Sequence, residues 1–513
     1  MQTLDVFSFE NDLDSPLHDV SIAPKDKKTF EQDRVSVKGT KKIRVAFCQH
    51  FWYEYIGPMA LSAQLKNHGH EVECFIYDLS DLFEALKREE FDLICFTLMT
   101  CDVKWVLDNA AELKRIAPDI PILCGGAHPT YHQSFVENEN IDMICVGEGD
   151  QTIVDVAEAV AEKNSRLEIH NLITKNQEGE IIRNPLRPMI TDLDSLPFPD
   201  RQLYRSKFEY FKKSPIASMV ATRGCPYKCT FCEVPQFMDM YETNKFYYRS
   251  AENIIAEVDS LKEQGIDPNL LLFVDSTFNL NLKWTVDFFE KYKKHIEIPF
   301  SCNIVAGMIN ERLVEALGDT ELCQSIRFAV EVGNEKLRKE VMGKKVSNEK
   351  MVWAANALKK KGIPIYVYLM FAVPYDTVEH TMETIHLAQS LKPEFINSAV
   401  FSPYRGLAIT EKALEGGYLT EDDINRLDDP EFSRLGSVLR LPDKNAILNL
   451  YSFSLAMVHF PWTERILEKL IHTKNNSLFK LFFMTCHFLQ TRRFVDIGFF
   501  RSIYEGYHHR LET

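Results

Sequence analysis

Along the chain, apolar residues gather in short runs, separated by longer stretches in which they recur at helical spacing. In the first third the runs at 43–48, 71–76, 92–98, 121–124 and 143–146 read as buried strands, and 58–67, 103–116 and 152–162 read as helices between them. Parallel strands need crossover connections, so this alternation predicts a parallel sheet covered on both faces. The expected unit is a doubly wound, Rossmann-like α/β domain over residues 42–165, with its ligand beyond the carboxyl ends of the strands. Residues 166–215 read as a connector, with a hairpin around Asn176 and Gly179 and the breaker-rich LPFPDR at 196–201. A second alternation follows. Strand-like runs at 216–222, 270–274, 300–304, 325–330, 363–371 and 395–401 enclose helices at 251–264, 282–294, 310–317, 348–361 and 377–391. Six such units predict a partial (β/α)6 barrel over 216–410, with chemistry at the carboxyl ends of its strands. Residues 1–41 read as a flexible polar leader, and 411–513 as a helical region rich in aromatics.

Composition narrows the function classes. The chain is 45% apolar and 26% charged, an ordinary globular balance. Its net charge of −15 argues against a nucleic-acid binder, which needs a basic footprint. The charge is uneven: residues 444–513 sum to +4 and the rest to −19. The 12 cysteines are too sparse for a disulfide scaffold, and the leader lacks the apolar core of a secretory signal. A reducing cytoplasm is therefore expected. The longest apolar stretch, 478–489, is short for a membrane span and is interrupted by Lys480 and His487.

Three cysteines carry the chemistry. Cys225, Cys229 and Cys232 stand in RGCPYKCTFC, just after the first strand of the second alternation. A [4Fe–4S] cluster normally takes four thiolates; this loop supplies three, which leaves one iron for a non-protein ligand. Gly224 and Pro226 suit a tight bend around such a group. One alternative is zinc, which usually takes paired C-x2-C motifs; no second pair exists here. The other is three unrelated loop cysteines. Of the remaining nine, Cys48, Cys74, Cys95, Cys124 and Cys145 lie in apolar strand runs, where a thiol behaves as a small hydrophobe.

The cysteine motif and its context resemble the radical SAM superfamily. FVDSTFNLN at 273–281 resembles that family's second strand end, SCNIVAG at 301–307 the third and FAVEVGNEKLRKEVMGK at 328–344 the fourth. YLMFAVPYDT at 368–377 resembles the fifth and FSPYRG at 401–406 the sixth. The resemblance covers about residues 195–410 in order. It implies that the open iron binds S-adenosylmethionine (SAM), whose reductive cleavage yields a 5′-deoxyadenosyl radical. It also implies SAM contacts at Phe231 (adenine), Asp275 (amino group), Asn303 and Glu331 (ribose or SAM). Two departures stand out. Ser276 replaces a second acid, and the fifth turn, often G-x-P-G-E-T, reads AVPYDT without either glycine and with Asp376 for the Glu.

The first domain has its own signature. GGAHPT at 125–130 and VGEGD at 146–150 follow strand ends, where paired glycines let a backbone approach a bulky ligand. With WYEYIGPM from Trp52 onward, they resemble the cobalamin-binding domain fused in front of many radical SAM enzymes. The alternative is a flavodoxin-like or receiver-like domain that binds nothing. The frequent D-x-H-x-x-G motif is missing: His50 in QHFWYEYIGP has no Asp two residues ahead. The resemblance is to the His-off pattern, which implies Trp52, Tyr53 or Tyr55 on the lower face of the corrin and favours Co(I) able to accept a methyl group. Further implied cobalamin contacts are Gly57, Thr97, Gly125, Gly126, His128, Gly147, Glu148 and Gly149, with His128 as a polar or turn residue rather than a cobalt ligand.

Together the resemblances imply a cobalamin-dependent radical SAM enzyme with a [4Fe–4S] cluster, most simply a C-methyltransferase acting on a small-molecule or natural-product substrate. The alternatives are a non-methylating rearrangement or cyclisation, and a non-catalytic cobalamin-binding protein with a degenerate barrel. A methylthiotransferase would carry extra cluster cysteines in its first domain. The implied partners are the substrate and an electron donor such as flavodoxin or ferredoxin, with no nucleic acid. For the aromatic tail two roles remain: a cap packed on the barrel, the usual fate of an amphipathic helix, or peripheral contact with a membrane.

Overall fold

The computed structural model describes residues 41–163, 168–176, 178–427 and 437–494. The expected leader, save Lys41, and the last nineteen residues of the tail lie outside them.

The first alternation folds as expected. Strands β1 (Arg44–Gln49), β2 (Glu71–Ile76), β3 (Leu93–Thr97), β4 (Ile122–Gly125) and β5 (Met143–Cys145) form a parallel sheet in the order β2-β1-β3-β4-β5. This doubly wound order reverses between β1 and β3, which places the binding crevice over their carboxyl ends. The segment read as a connector adds two strands to this sheet. β6 (Leu172–Lys175) pairs antiparallel with β5, and β7 (Ile181–Arg183) pairs antiparallel with β6. The hairpin turn forms because the Asn176 side chain accepts the N–H groups of Glu178 (3.0 Å) and Glu180 (2.8 Å), and Gly179 takes φ +81°.

The second region contributes β8 (Ile216–Met219), a short antiparallel pair β9 (Thr222–Arg223) and β10 (Tyr247–Tyr248), then β11 (Leu270–Phe273), β12 (Phe300–Asn303), β13 (Cys323–Glu331), β14 (Ile365–Phe371) and β15 (Phe395–Val400). Six of these, β8-β11-β12-β13-β14-β15, form a parallel sheet in chain order, curled into a half-barrel with helices outside. Its helices begin where the sequence supplies caps. Ser250, Asn281, Asn310, Asn334, Ser347 and Thr377 each accept the N–H three residues on. Along β14 the side chains of Ile365, Val367, Leu369 and Phe371 are buried against the helical layer, whereas Tyr366, Tyr368 and Met370 alternate onto the inner face.

The tail packs on the last strand. Helix Lys444–His459 buries Leu450, Phe453 and Met457 in the barrel core, and Ser477–Phe494 lies over it through Phe453–Phe479 and Tyr451–Phe483 ring contacts (4.8 and 4.6 Å). Gln490 donates to the Ile396 carbonyl (2.6 Å) and accepts the Ile396 N–H (3.3 Å), taking the place of a neighbouring strand beside β15.

Candidate functional site

The cysteine loop is held at its root by a carboxylate. Asp275, just past β11, accepts on Oδ1 the N–H groups of Ala221 (2.9 Å) and Thr222 (2.6 Å) and the Thr222 hydroxyl (2.7 Å). Its Oδ2 is buried without a partner, and burial pushes the carboxyl up to about 6. Asn303, at the end of β12, donates to the Asp275 carbonyl (3.2 Å) and leaves its own Oδ1 buried without a partner. The loop then bends at Gly224 (φ +89°). Cys225 Sγ lies 3.8 Å from Thr277 Oγ1, and the Cys232 N–H donates to the Cys229 carbonyl (3.1 Å). Thr230 anchors the loop's middle, its N–H to the Met342 carbonyl (3.0 Å) and its hydroxyl to that of Val341 (2.7 Å). Gly343 is required there, since a Cβ on it would sit 2.7 Å from the Lys228 carbonyl. Burial pushes the Cys229 and Cys232 thiols up to about 11, with the Lys344 ammonium opposing the rise at Cys229.

The other strand ends complete this rim. Phe231 packs, half-buried, with the apolar cluster that includes Met342 and Ile409. Glu331 ends β13 at φ +64°, and Lys344 reaches both its carboxylate (3.4 Å) and the Ala329 carbonyl (2.6 Å). The fifth turn keeps the backbone of a glycine turn without glycines: Ala372 has φ +57° and Tyr375 φ +65°, a left-handed conformation costly for L-residues. Asp376 holds it by accepting the Ala372 N–H (3.0 Å) and the Thr381 hydroxyl (3.3 Å). Among the described residues no three His, Cys, Asp or Glu side chains converge on a single metal ion. Ligands of a multi-iron cluster bind separate irons and need no such convergence.

The rim of the first sheet is built differently. His50 pairs through Nδ1 with Asp102 (3.1 Å) and is stacked between Trp105 and Tyr77. Trp52 packs against Phe208, Tyr210 and Phe211, so of the three loop aromatics only Tyr53 is exposed; Tyr55 is half-buried beside it. Thr97 and Gly125 end β3 and β4 side by side. Gly126 (φ +109°) passes so close to β3 that a Cβ would lie 2.7 Å from the Leu98 carbonyl. His128 is buried, with Nδ1 3.2 Å from the Thr100 hydroxyl, and burial lowers it to about 3, which leaves it neutral. Gly149 lies against Leu61 and Cys145, and Gly57 has open space where a Cβ would be.

Gly147 and Glu148, expected at cobalamin, contact the second region. A Cβ on Gly147 would overlap the Tyr241 hydroxyl, which also accepts the Glu148 N–H (2.8 Å). The Glu148 carboxylate accepts from Arg223 (2.8 Å) and from the Ile190 N–H (2.7 Å), while Asp150 takes two further Arg223 bonds (both 3.0 Å). Arg223 is two residues before Cys225, so one guanidinium ties the VGEGD loop to the root of the cysteine loop. Tyr131 adds a second tie, its hydroxyl donating to the Glu233 carbonyl (3.1 Å). The carboxyl ends of the two sheets thus look onto one space. Five large apolar residues around it are 39–45% exposed: Tyr53, Tyr77, Met99, Tyr375 and Tyr404, each a few residues past a strand end. Arg223, Tyr241 and Lys344 were not singled out by sequence reasoning, although Arg223 and Lys344 lie inside quoted motifs.

This arrangement is that of a two-module radical enzyme. The sequence pattern of the radical SAM superfamily matches residues 219–388, and that of the B12 binding domain matches 49–157. The chain is a radical SAM superfamily protein carrying a B12-binding domain ahead of the radical SAM domain. The cofactors of these two domains are a [4Fe–4S] cluster with SAM, and cobalamin. An uncharacterised methyltransferase of Pyrococcus horikoshii is 25% identical over 66% of this chain and 73% of its own length. The anaerobic magnesium-protoporphyrin IX monomethyl ester cyclase of Rubrivivax gelatinosus is 26% identical over 67% of this chain and 63% of its own length, so this chain spans less than two thirds of that relative. Among solved structures, the cobalamin-dependent SAM radical enzyme OxsB, with aqua-cobalamin and SAM bound, superposes with a TM-score of 0.63 at 15% identity, over 88% of this chain and 71% of that one.

Proposed function

We propose that this enzyme methylates an unactivated carbon of a small-molecule or natural-product substrate held between the two rims. The observation that carries the reading is the facing of the two strand-end rims, tied by Arg223. When bound, the cluster and SAM supply a carbon-centred radical, and cobalamin supplies the methyl carrier. The residues fit these groups. Cys225, Cys229 and Cys232 offer three thiols on one loop. Asp275 Oδ2 and Asn303 Oδ1 are adjacent buried acceptors without donors, suited to the ammonium group of SAM. Phe231, half-buried on the cysteine loop, offers a ring to an adenine, and Glu331, at the end of β13, offers a carboxylate to a ribose. On the opposite rim Tyr53 and Tyr55 offer aromatic surface, Gly57 leaves room, and Thr97, Gly125, Gly126, neutral His128 and Gly149 form a close-packed wall; Gly147 and Glu148 hold that wall to the barrel. A low-potential one-electron donor such as flavodoxin or ferredoxin, in a reducing cytoplasm, is the partner this chemistry needs.

The cyclase relative favours a second reading, in which the same cofactors drive a cyclisation without methyl transfer. Anaerobic turnover with candidate substrates separates the two. A product heavier by one CH2 supports methylation, and SAM cleavage to 5′-deoxyadenosine with no such gain supports the second reading. Failure to bind iron after reconstitution, or iron binding unchanged in the Cys225→Ala/Cys229→Ala/Cys232→Ala variant, overturns both.

A further inference from the structure

Every large apolar side chain more than half exposed among the described residues falls within one short segment. They are Phe460, Trp462, Ile466, Leu478, Leu481 and Leu489, at 53–69% exposure. Scattered single exposures need no explanation, but a contiguous set marks an interaction surface.

The segment is firmly seated on the barrel by its other face. Glu464 accepts from Gln389 (3.1 Å) and pairs with His386 (3.0 Å), Ile471 is buried in the barrel core, and Phe479, Phe483 and Gln490 line the inner side of helix Ser477–Phe494. That helix therefore has a second, outward apolar stripe, with Leu478, Phe482 and Leu489 at spacings of four and seven. Four exposed cations, Arg465, Lys469, Lys474 and Lys480, are interleaved with the exposed apolar residues, and none forms an ion pair with a carboxylate among the described residues. Of the two acids here, Glu464 is turned inward to the barrel and only Glu468 is exposed beside the four cations. Cations are thus concentrated on this face of a chain whose net charge is −15.

We propose that residues 460–489 form a docking face for an anionic lipid surface. The apolar side chains enter the boundary between headgroups and acyl chains, and the four cations meet lipid phosphates. Charge complementarity selects this occupant: a second copy of the chain would set cation against cation. No helix among the described residues is long and apolar enough to cross a membrane, so the contact is interfacial. The inference is independent of the reaction catalysed.

The test is sedimentation of the full chain with phosphatidylcholine vesicles, with and without phosphatidylglycerol. The wild type is expected to pellet with the phosphatidylglycerol vesicles and to be released by salt. Trp462→Ser/Leu478→Ser/Leu481→Ser, and separately Arg465→Gln/Lys469→Gln/Lys480→Gln, should each lower the partition coefficient by about tenfold or more while keeping the wild-type melting temperature. If the apolar variant misfolds, the charge variant decides. No binding to phosphatidylglycerol vesicles, binding unchanged in the folded variants, or a wild-type dimer that the substitutions dissociate would each overturn the proposal.

Discussion

At the strand ends of the first sheet His50, His128 and Gln49 find partners within their own module. His50 has Asp102, His128 has the Thr100 hydroxyl, and Gln49 donates to the carbonyls of Phe51 (2.7 Å) and Tyr53 (2.8 Å). At the strand ends of the half-barrel, Asp275 and Asn303 each keep a buried oxygen with no donor, and Glu331, Ala372 and Tyr375 hold left-handed backbones. A buried acceptor without a donor costs roughly 1–3 kcal/mol, which a cationic ligand recovers on binding. The two rims are thus built on different physics. The barrel rim offers unpaired charge and polarity, and the first rim offers shape, backbone and aromatic surface.

The largest expected effect is at the joint between them. Arg223→Met leaves Glu148 and Asp150 without their shared counter-charge and should cost about 3–5 kcal/mol. Calorimetry should then show the two modules melting apart; a single transition at the wild-type temperature would mean the joint does not couple them. The next effect sharpens the barrel side. Burial pushes the Asp376 carboxyl up to about 7, against roughly 3.9 in an unfolded chain, so the folded state keeps its proton through that window. Stability should therefore fall as pH rises from about 4 to 7 and then level off. Asp376→Asn should flatten that slope in urea midpoints measured across pH; an unchanged slope would assign it elsewhere. The smallest effect probes the first rim. Gly57 lies in helix Ile56–Asn67 with open space beside it, so Gly57→Ala should stabilise the apo-protein by about 0.5–1 kcal/mol. The same variant should bind cobalamin more weakly in a spectral titration, because the added methyl occupies the space; equal affinity would remove Gly57 from the site.

Both sheets were legible in the alternation of apolar runs and helical stretches, since buried parallel strands leave that mark. The cysteine loop was legible in its spacing. What escaped depended on partners distant in sequence. The Arg223 pairs span more than seventy residues, and the rings that surround Trp52 lie about 150 residues on. The hairpin around Asn176 was visible in its turn residues. Its place in the first sheet was not, because strands of three or four residues carry too little periodicity. The missing glycines of AVPYDT read as a departure from the family turn, yet Ala372 and Tyr375 adopt the left-handed backbone that those glycines would take. Composition shows which residue is cheapest in such a turn, while the Asp376 bonds that impose it on other residues appear only in three dimensions.

Gln490 has a consequence for how the chain behaves when shortened. A parallel sheet that does not close into a full barrel ends in a strand whose backbone groups are ready to template another chain. Here one side-chain amide imitates a neighbouring peptide and occupies Ile396. A chain cut before Ser477 loses that imitation and offers β15 to other copies, so truncation there should yield a chain that polymerises edge to edge.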